Sequence, residues 1–199
     1  MLSSPIYHKE CLTYEEQLSR GKPLPYLRKM SEKVKEFGGE VVVEIGTMRQ
    51  PLNHDIDELN PHCCNDGHST YFFGKEGFEV HSVDIDTNAC YISKTSCLNF
   101  PKVRVYNQDG IGFLSLFDKK IDLLYLDAWD VGTSKYAEKH LEAFKIAEPK
   151  LSDQCVVAID DTDVASGGKG KLITEYLDSI KEWHKIAEGR QTIYIKPLI

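Results

Sequence analysis

At 199 residues the chain is long enough for one domain with a sizeable core, and 41% hydrophobic with 28% charged residues is ordinary for a globular protein. A net charge of −7 and a pI near 5.5 argue against a general nucleic-acid binder, which carries a basic surface. No apolar run approaches the ~18–20 residues of a membrane span, and the opening MLSSPIYHKECLTYEEQ lacks a signal-peptide core; a cytoplasmic protein is expected, its six cysteines free thiols.

In chain order, residues 12–37 read as helical: YEEQLSR first, then a helix opened by Pro25 and closed by Gly38-Gly39. From there strand-like and helix-like runs alternate. The strands are VVVEI (41–45), EVHSVDI (79–85), VRVYNQ (103–108), DLLYLDA (122–128) and CVVAID (155–160). Between them lie STYFFGKEG, NACYISKTSCL, GIGFLSLF and SKYAEKHLEAFKIAEPKL, with KGKLITEYLDSIKE after the last. Tyr136, Ala137, His140, Leu141, Phe144, Ala147 and Leu151 share one stripe at helical spacing. Short apolar strands alternating with helices predict a parallel sheet covered on both faces. The tail WHKIAEGRQTIYIK reads as a hairpin around Glu188-Gly189-Arg190. The expected fold is α/β: a Rossmann-like doubly wound sheet of five parallel strands plus a C-terminal antiparallel hairpin. Cys90 and Cys155 sit in apolar surroundings as core filler.

Parallel sheets place their sites at the carboxyl ends of the strands. Those ends read Glu44 to Gly46, Asp84 to Asp86, Gln108-Asp109, Asp127 and Asp160-Asp161, so every one carries an acid. Asp84 is placed to accept two ribose hydroxyls, with Asp86 a second candidate or merely the start of a turn. Asp109 suits a helix N-cap before GIGFLSLF as well as a ligand. Strands four and five should be neighbours, ~4.8 Å apart, so Asp127, Asp160 and Asp161 should converge. Two carboxylates ~4 Å apart repel by about 4 kcal/mol at an effective dielectric of 20. A proton, a lysine or a divalent cation is needed to offset that, and three oxygen donors suit Mg²⁺ or Ca²⁺.

VVVEIGT, the later DGHST, VDID, NQDG and the terminal hairpin, in that order, resemble the class I S-adenosylmethionine-dependent methyltransferases. YLDAWD and AIDDTD resemble the metal-dependent small-molecule O-methyltransferases of the catechol and caffeoyl-CoA type. The resemblance covers roughly residues 40–195. It implies an S-adenosylmethionine-binding domain at 40–199, preceded by the helical segment read from the residues themselves, 1–39. Residues 48–65 would then be an insertion, a polar lid, between the halves of a glycine loop; a longer surface loop costs little.

On that resemblance Glu44, Gly46, Thr47, Gly67, Ser69, Thr70, Asp84, Asp109 and Asp127 bind the cofactor. Gly46 lets the backbone approach it, and Ser69 and Thr70 open a helix whose free N–H groups face its carboxylate. Asp127, Asp160 and Asp161 hold Mg²⁺ or another divalent cation that clamps and activates an acceptor hydroxyl.

Two positions depart from the pattern. Asp161 stands where the family has Asn, and Asp130 where it has a general-base lysine. Asp127, Asp130 and Lys169 are the catalytic candidates, with Lys135 another base; Lys169 and Lys171 could instead hold an anionic substrate. Arg49 could hold a carboxylate. His54, His62, Cys63, Cys64 and His68 match no established zinc spacing. The expected reaction is methyl transfer to an oxygen of a small-molecule acceptor, with no nucleic acid or membrane partner and the possibility of a homodimer left open. The alternatives are a non-catalytic S-adenosylmethionine-binding sensor or scaffold, and a nicotinamide-dependent oxidoreductase, which the absent GxGxxG opposes.

Overall fold

The computed structural model describes residues 13–19, 21, 23–51 and 68–198. Two helices, α1 (Tyr14–Ser19) and α2 (Leu24–Glu36), precede the sheet. The core alternates β1 (Val41–Ile45), α3 (Ser69–Lys75), β2 (Glu79–Asp84), α4 (Thr87–Ser96), β3 (Val103–Asn107), α5 (Gly110–Leu116), β4 (Ile121–Leu126), α6 (Tyr136–Ala147) and β5 (Leu151–Ile159). Then follow α7 (Lys171–Asp178), β6 (His184–Ala187) and β7 (Thr192–Lys196). The seven strands lie in the order β3-β2-β1-β4-β5-β7-β6. The first five are parallel, and β7 runs antiparallel between β5 and β6. The expected fold class is therefore observed, hairpin included.

Alternation along the strands divides the core in two. Val43, Ile45, Val83, Leu124, Leu126, Val157 and Ile159 pack under α5, α6 and α7. Val42, Val80, Leu123, Tyr125, Val156 and Ala158 pack on the other face, against Leu24, Leu27, Met30 and Val34 of α2 and the phenylalanines of α3. The helical segment before the sheet is thus one of its covering layers. Cys90 and Cys155 are buried, as is Cys97.

The register positions the site. Ile45 is level with Val83 on one side and Leu126 on the other, and Leu126 is level with Ile159. One residue further, Asp84, Gly46, Asp127 and Asp160 stand in a single row across four strands. The chain order reverses between β1 and β4, and such a switch point opens a crevice beyond the strand ends.

Candidate functional site

A cavity of about 410 Å³ lies over the Asp84, Gly46 and Asp127 part of that row, bordered also by Thr47, Asp109 and Asp130, with Met48, Ile85 and Trp129 as apolar wall; Asp160 does not border it. The volume is in the range of small-molecule sites, ~300–1,000 Å³. Gly46 adopts φ 97°, and a Cβ there would lie 2.7 Å from the Asp127 carbonyl oxygen. The glycine is required by the close approach of the β1 and β4 ends, a reason different from the cofactor contact expected above. The Asp84 carboxylate is oriented by two backbone donors, Thr47 N–H at 3.1 Å and Asp86 N–H at 2.8 Å. A carboxylate offers about four lone-pair sites, so acceptor capacity remains on the cavity side.

Asp109 caps α5 by accepting from Gly112 N–H at 2.7 Å and also borders the cavity, so its two readings hold together. Asp86 is the N-cap of α4, accepting from Asn88 and Ala89 N–H.

Two expected cofactor contacts are corrected. Glu44 and Thr70 are fully buried and do not border the cavity. Alternation turns Glu44 away from the Val43 and Ile45 face, toward α3. There its carboxylate accepts from the Ser69 hydroxyl, from Thr70 at 2.6 Å and from Ser82 at 2.5 Å. Burial pushes the carboxyl up to about 7, although the three hydroxyls pull the other way. The group underpins the loop and helix beside the cavity. Thr47 turns its own hydroxyl inward to Ser93 at 2.8 Å, leaving only its backbone and edge to the cavity. Ser69 borders the cavity while its hydroxyl is committed to Glu44.

Asp127, Asp160 and Asp161 converge as expected, with ligand atoms within 4.8 Å of one another. The offset is supplied by the chain itself. Lys169, only 1% exposed, places Nζ 2.6 Å from Asp127 Oδ1, 2.9 Å from Asp161 Oδ2 and 3.3 Å from the Asp127 carbonyl. Arg190 reaches Asp161 Oδ1 at 2.7 Å and Asp160 Oδ2 at 3.5 Å. Gln191 Nε2 donates to Asp160 Oδ1 at 2.8 Å and to the Tyr125 hydroxyl at 2.7 Å.

Burial, then the Asp127 and Asp161 charges, push the Asp160 carboxyl well above its usual range. Burial works against the Lys169 ammonium, but the carboxylates Asp127, Asp160 and Asp161 outweigh it and raise its pKa. A lysine so held keeps its proton, which removes it from the general-base candidates. The three carboxylates suit a hard cation in kind, but cationic side chains already hold most of their oxygens. A dication on Asp127 and Asp161 would have to displace the Lys169 ammonium and the Arg190 guanidinium from them.

Backbone strain gathers at the same place. Trp129 and Asp161, just past the ends of β4 and β5, have φ of 45° and 50°. Left-handed backbone in such residues costs about 1–3 kcal/mol and persists where the surroundings over-determine it. Of the other candidates, Asp130 is largely exposed and pairs with Arg49 at 3.6 Å across the cavity mouth. Lys135 precedes α6 with φ 58° and does not border the cavity. Lys171 begins α7 and is exposed. Gly67, His54, His62, Cys63, Cys64 and nearly all of the 48–65 insertion lie outside the described residues; His68 lies within them, buried, at φ 40°.

Sequence reasoning missed Arg190, Gln191 and Tyr125. Arg190 and Gln191 meet Asp160 across 30 and 31 residues, a separation for which no local spacing exists.

No known protein family matches the sequence, and no curated protein does. Solved structures share the fold. The O-methyltransferase TomG of Streptomyces achromogenes, in complex with S-adenosylmethionine, superposes with a TM-score of 0.62 at 11% identity, covering 96% of this chain and 93% of its own. The O-methyltransferase of Bacillus cereus, in complex with S-adenosylhomocysteine, gives 0.57 at 14%, covering 92% and 89%. An rRNA methylase of Streptococcus thermophilus gives 0.54 at 13%, covering 89% and 98%. The chain thus has the Rossmann-like fold of class I S-adenosylmethionine-dependent methyltransferases. At these identities the likeness extends to the fold, and a fold hosts many acceptors.

Proposed function

We propose that the chain is a methyltransferase that takes S-adenosylmethionine as donor and methylates an oxygen of a small polar acceptor. One observation carries this reading: the register places Asp84, Gly46 and Asp127 in one row under a 410 Å³ cavity at the switch point of the sheet. Asp84, already oriented by two backbone donors, would accept the ribose hydroxyls. Asp109 would stand at the adenine end, where Ile85, 76% exposed, offers an apolar edge for a planar base. S-adenosylmethionine would supply the electrophilic methyl. The protein's part is positioning: Asp127, Trp129 and Asp130 surround the end where an acceptor would enter, and alignment of the two reactants is worth several kcal/mol of barrier.

Asp84→Ala is expected to weaken S-adenosylhomocysteine binding about tenfold or more, equivalent to about 1.4 kcal/mol. Isothermal titration measures this, with thermal unfolding of the variant as control. An unchanged affinity in a folded variant would remove Asp84 from the ribose site. A second reading, a non-catalytic binder, is favoured by the lack of a lysine at position 130 and by the full commitment of Lys169 to carboxylates and carbonyl. Turnover to S-adenosylhomocysteine with any acceptor would dispose of it.

A further inference from the structure

We propose that Lys169 is a built-in substitute for a metal ion: its ammonium, bridging Asp127 and Asp161, fills the acidic cluster together with the Arg190 guanidinium, so that the chain takes up no divalent cation there.

The loop is shaped to deliver this lysine. Gly168 adopts φ 50° and ψ −141°, and a Cβ on it would fall 1.8 Å from the Asp161 carbonyl oxygen. Only glycine fits, and its fit brings Lys169 N–H to 3.3 Å from that same carbonyl. From there the side chain runs under the strand ends, buried along its length. An ammonium has three N–H donors, and three acceptors surround Nζ: Asp127 Oδ1, the Asp127 carbonyl and Asp161 Oδ2. Three of the remaining carboxylate oxygens are also engaged. Asp161 Oδ1 receives Arg190, and Asp160 receives Arg190 on one oxygen and Gln191 on the other. A metal entering the cluster would have to break these contacts and expel a buried cation.

A consequence follows for the acceptor, and it rests on the methyl-transfer reading. With an ammonium in place of a metal, nothing at the cluster can chelate two vicinal oxygens or lower a hydroxyl pKa by coordination. A neutral vicinal diol that needs both forms of metal assistance is therefore a disfavoured acceptor.

The test is a Mn²⁺ titration of the chelator-treated full chain, followed by electron paramagnetic resonance, with S-adenosylhomocysteine binding measured in parallel. The wild type is expected to show no saturable Mn²⁺ site up to millimolar concentration. Lys169→Ala, if folded, is expected to gain one, and adding Asp127→Asn to it should weaken that site about tenfold or more. A Mn²⁺ site in the wild type that Asp127→Asn weakens would overturn the proposal, and so would a folded Lys169→Ala that gains none. Should Lys169→Ala fail to fold, the wild-type titration decides alone. Because this readout is metal binding, its failure is distinct from failure of the methyl-transfer reading, which the parallel S-adenosylhomocysteine titration reports.

Discussion

Gly168→Ala is expected to destabilise the chain by at least about 3 kcal/mol, the lower range for breaking a buried ion pair by disturbing one partner. The new Cβ would sit 1.8 Å from the Asp161 carbonyl oxygen and 2.7 Å from Val164 Cγ2, so the backbone has to move. Any such movement draws Lys169 away from Asp127 and Asp161 and leaves a buried ammonium without its counter-charges. Gly167→Ala is the control. Gly167 also has positive φ, 82°, but its nearest neighbour, Lys171 Cβ, would be 3.6 Å from the new atom. Only left-handed strain applies there, about 1–2 kcal/mol. Urea unfolding of the two variants measures the difference. Equal destabilisation would mean that seating Lys169 contributes little.

Glu44→Gln is expected to remove a pH dependence of stability worth about 3 kcal/mol. The carboxyl is fully buried, and burial lifts it from 4.5 to about 7 in the folded chain. Between those values the native state holds a proton that the unfolded state has lost, so stability falls as pH rises. The contribution is present in full below the unfolded value and is gone once pH has risen through about 7. His140 works in the opposite direction: burial lowers it to about 4, so its contribution is lost as pH falls through that value. The informative quantity is therefore wild type minus variant. Unfolding free energies at about pH 5 and about pH 8 should show that difference shifting toward the variant at the higher pH. A constant difference would mean that Glu44 is already ionised at the lower pH, with its hydroxyl partners outweighing burial.

Much of the architecture can be read from residue type and spacing. VVVEI, LLYL and CVVAI have the near-continuous apolar character of strands buried on both faces, and the helical stripe from Tyr136 to Ala147 covers them as its spacing predicts, whereas Leu151, expected on the same stripe, opens β5. The acids at the strand ends were legible because a parallel sheet brings all such ends to one edge. Glu44 was misassigned although alternation alone was sufficient: it lies between Val43 and Ile45 and so faces the other layer. Asp109 needed no correction, since capping a helix and facing a crevice use different oxygens and faces of one short side chain.

What the sequence determines by itself is local and periodic: strand, helix, the hairpin at the end, and hence the fold that places Asp84, Asp127 and Asp160 along one edge. What only the tertiary structure decides is which charge answers those acids. Lys169 reaches Asp127 across 42 residues and Arg190 reaches Asp160 across 30. No period of 2.0 or 3.6 residues carries information over such distances. The sequence requires that the repulsion among three converging carboxylates be met by a proton, a lysine or a metal. The folded chain answers with an ammonium and a guanidinium, because a glycine turn and a hairpin bring them to the carboxylates at hydrogen-bond range.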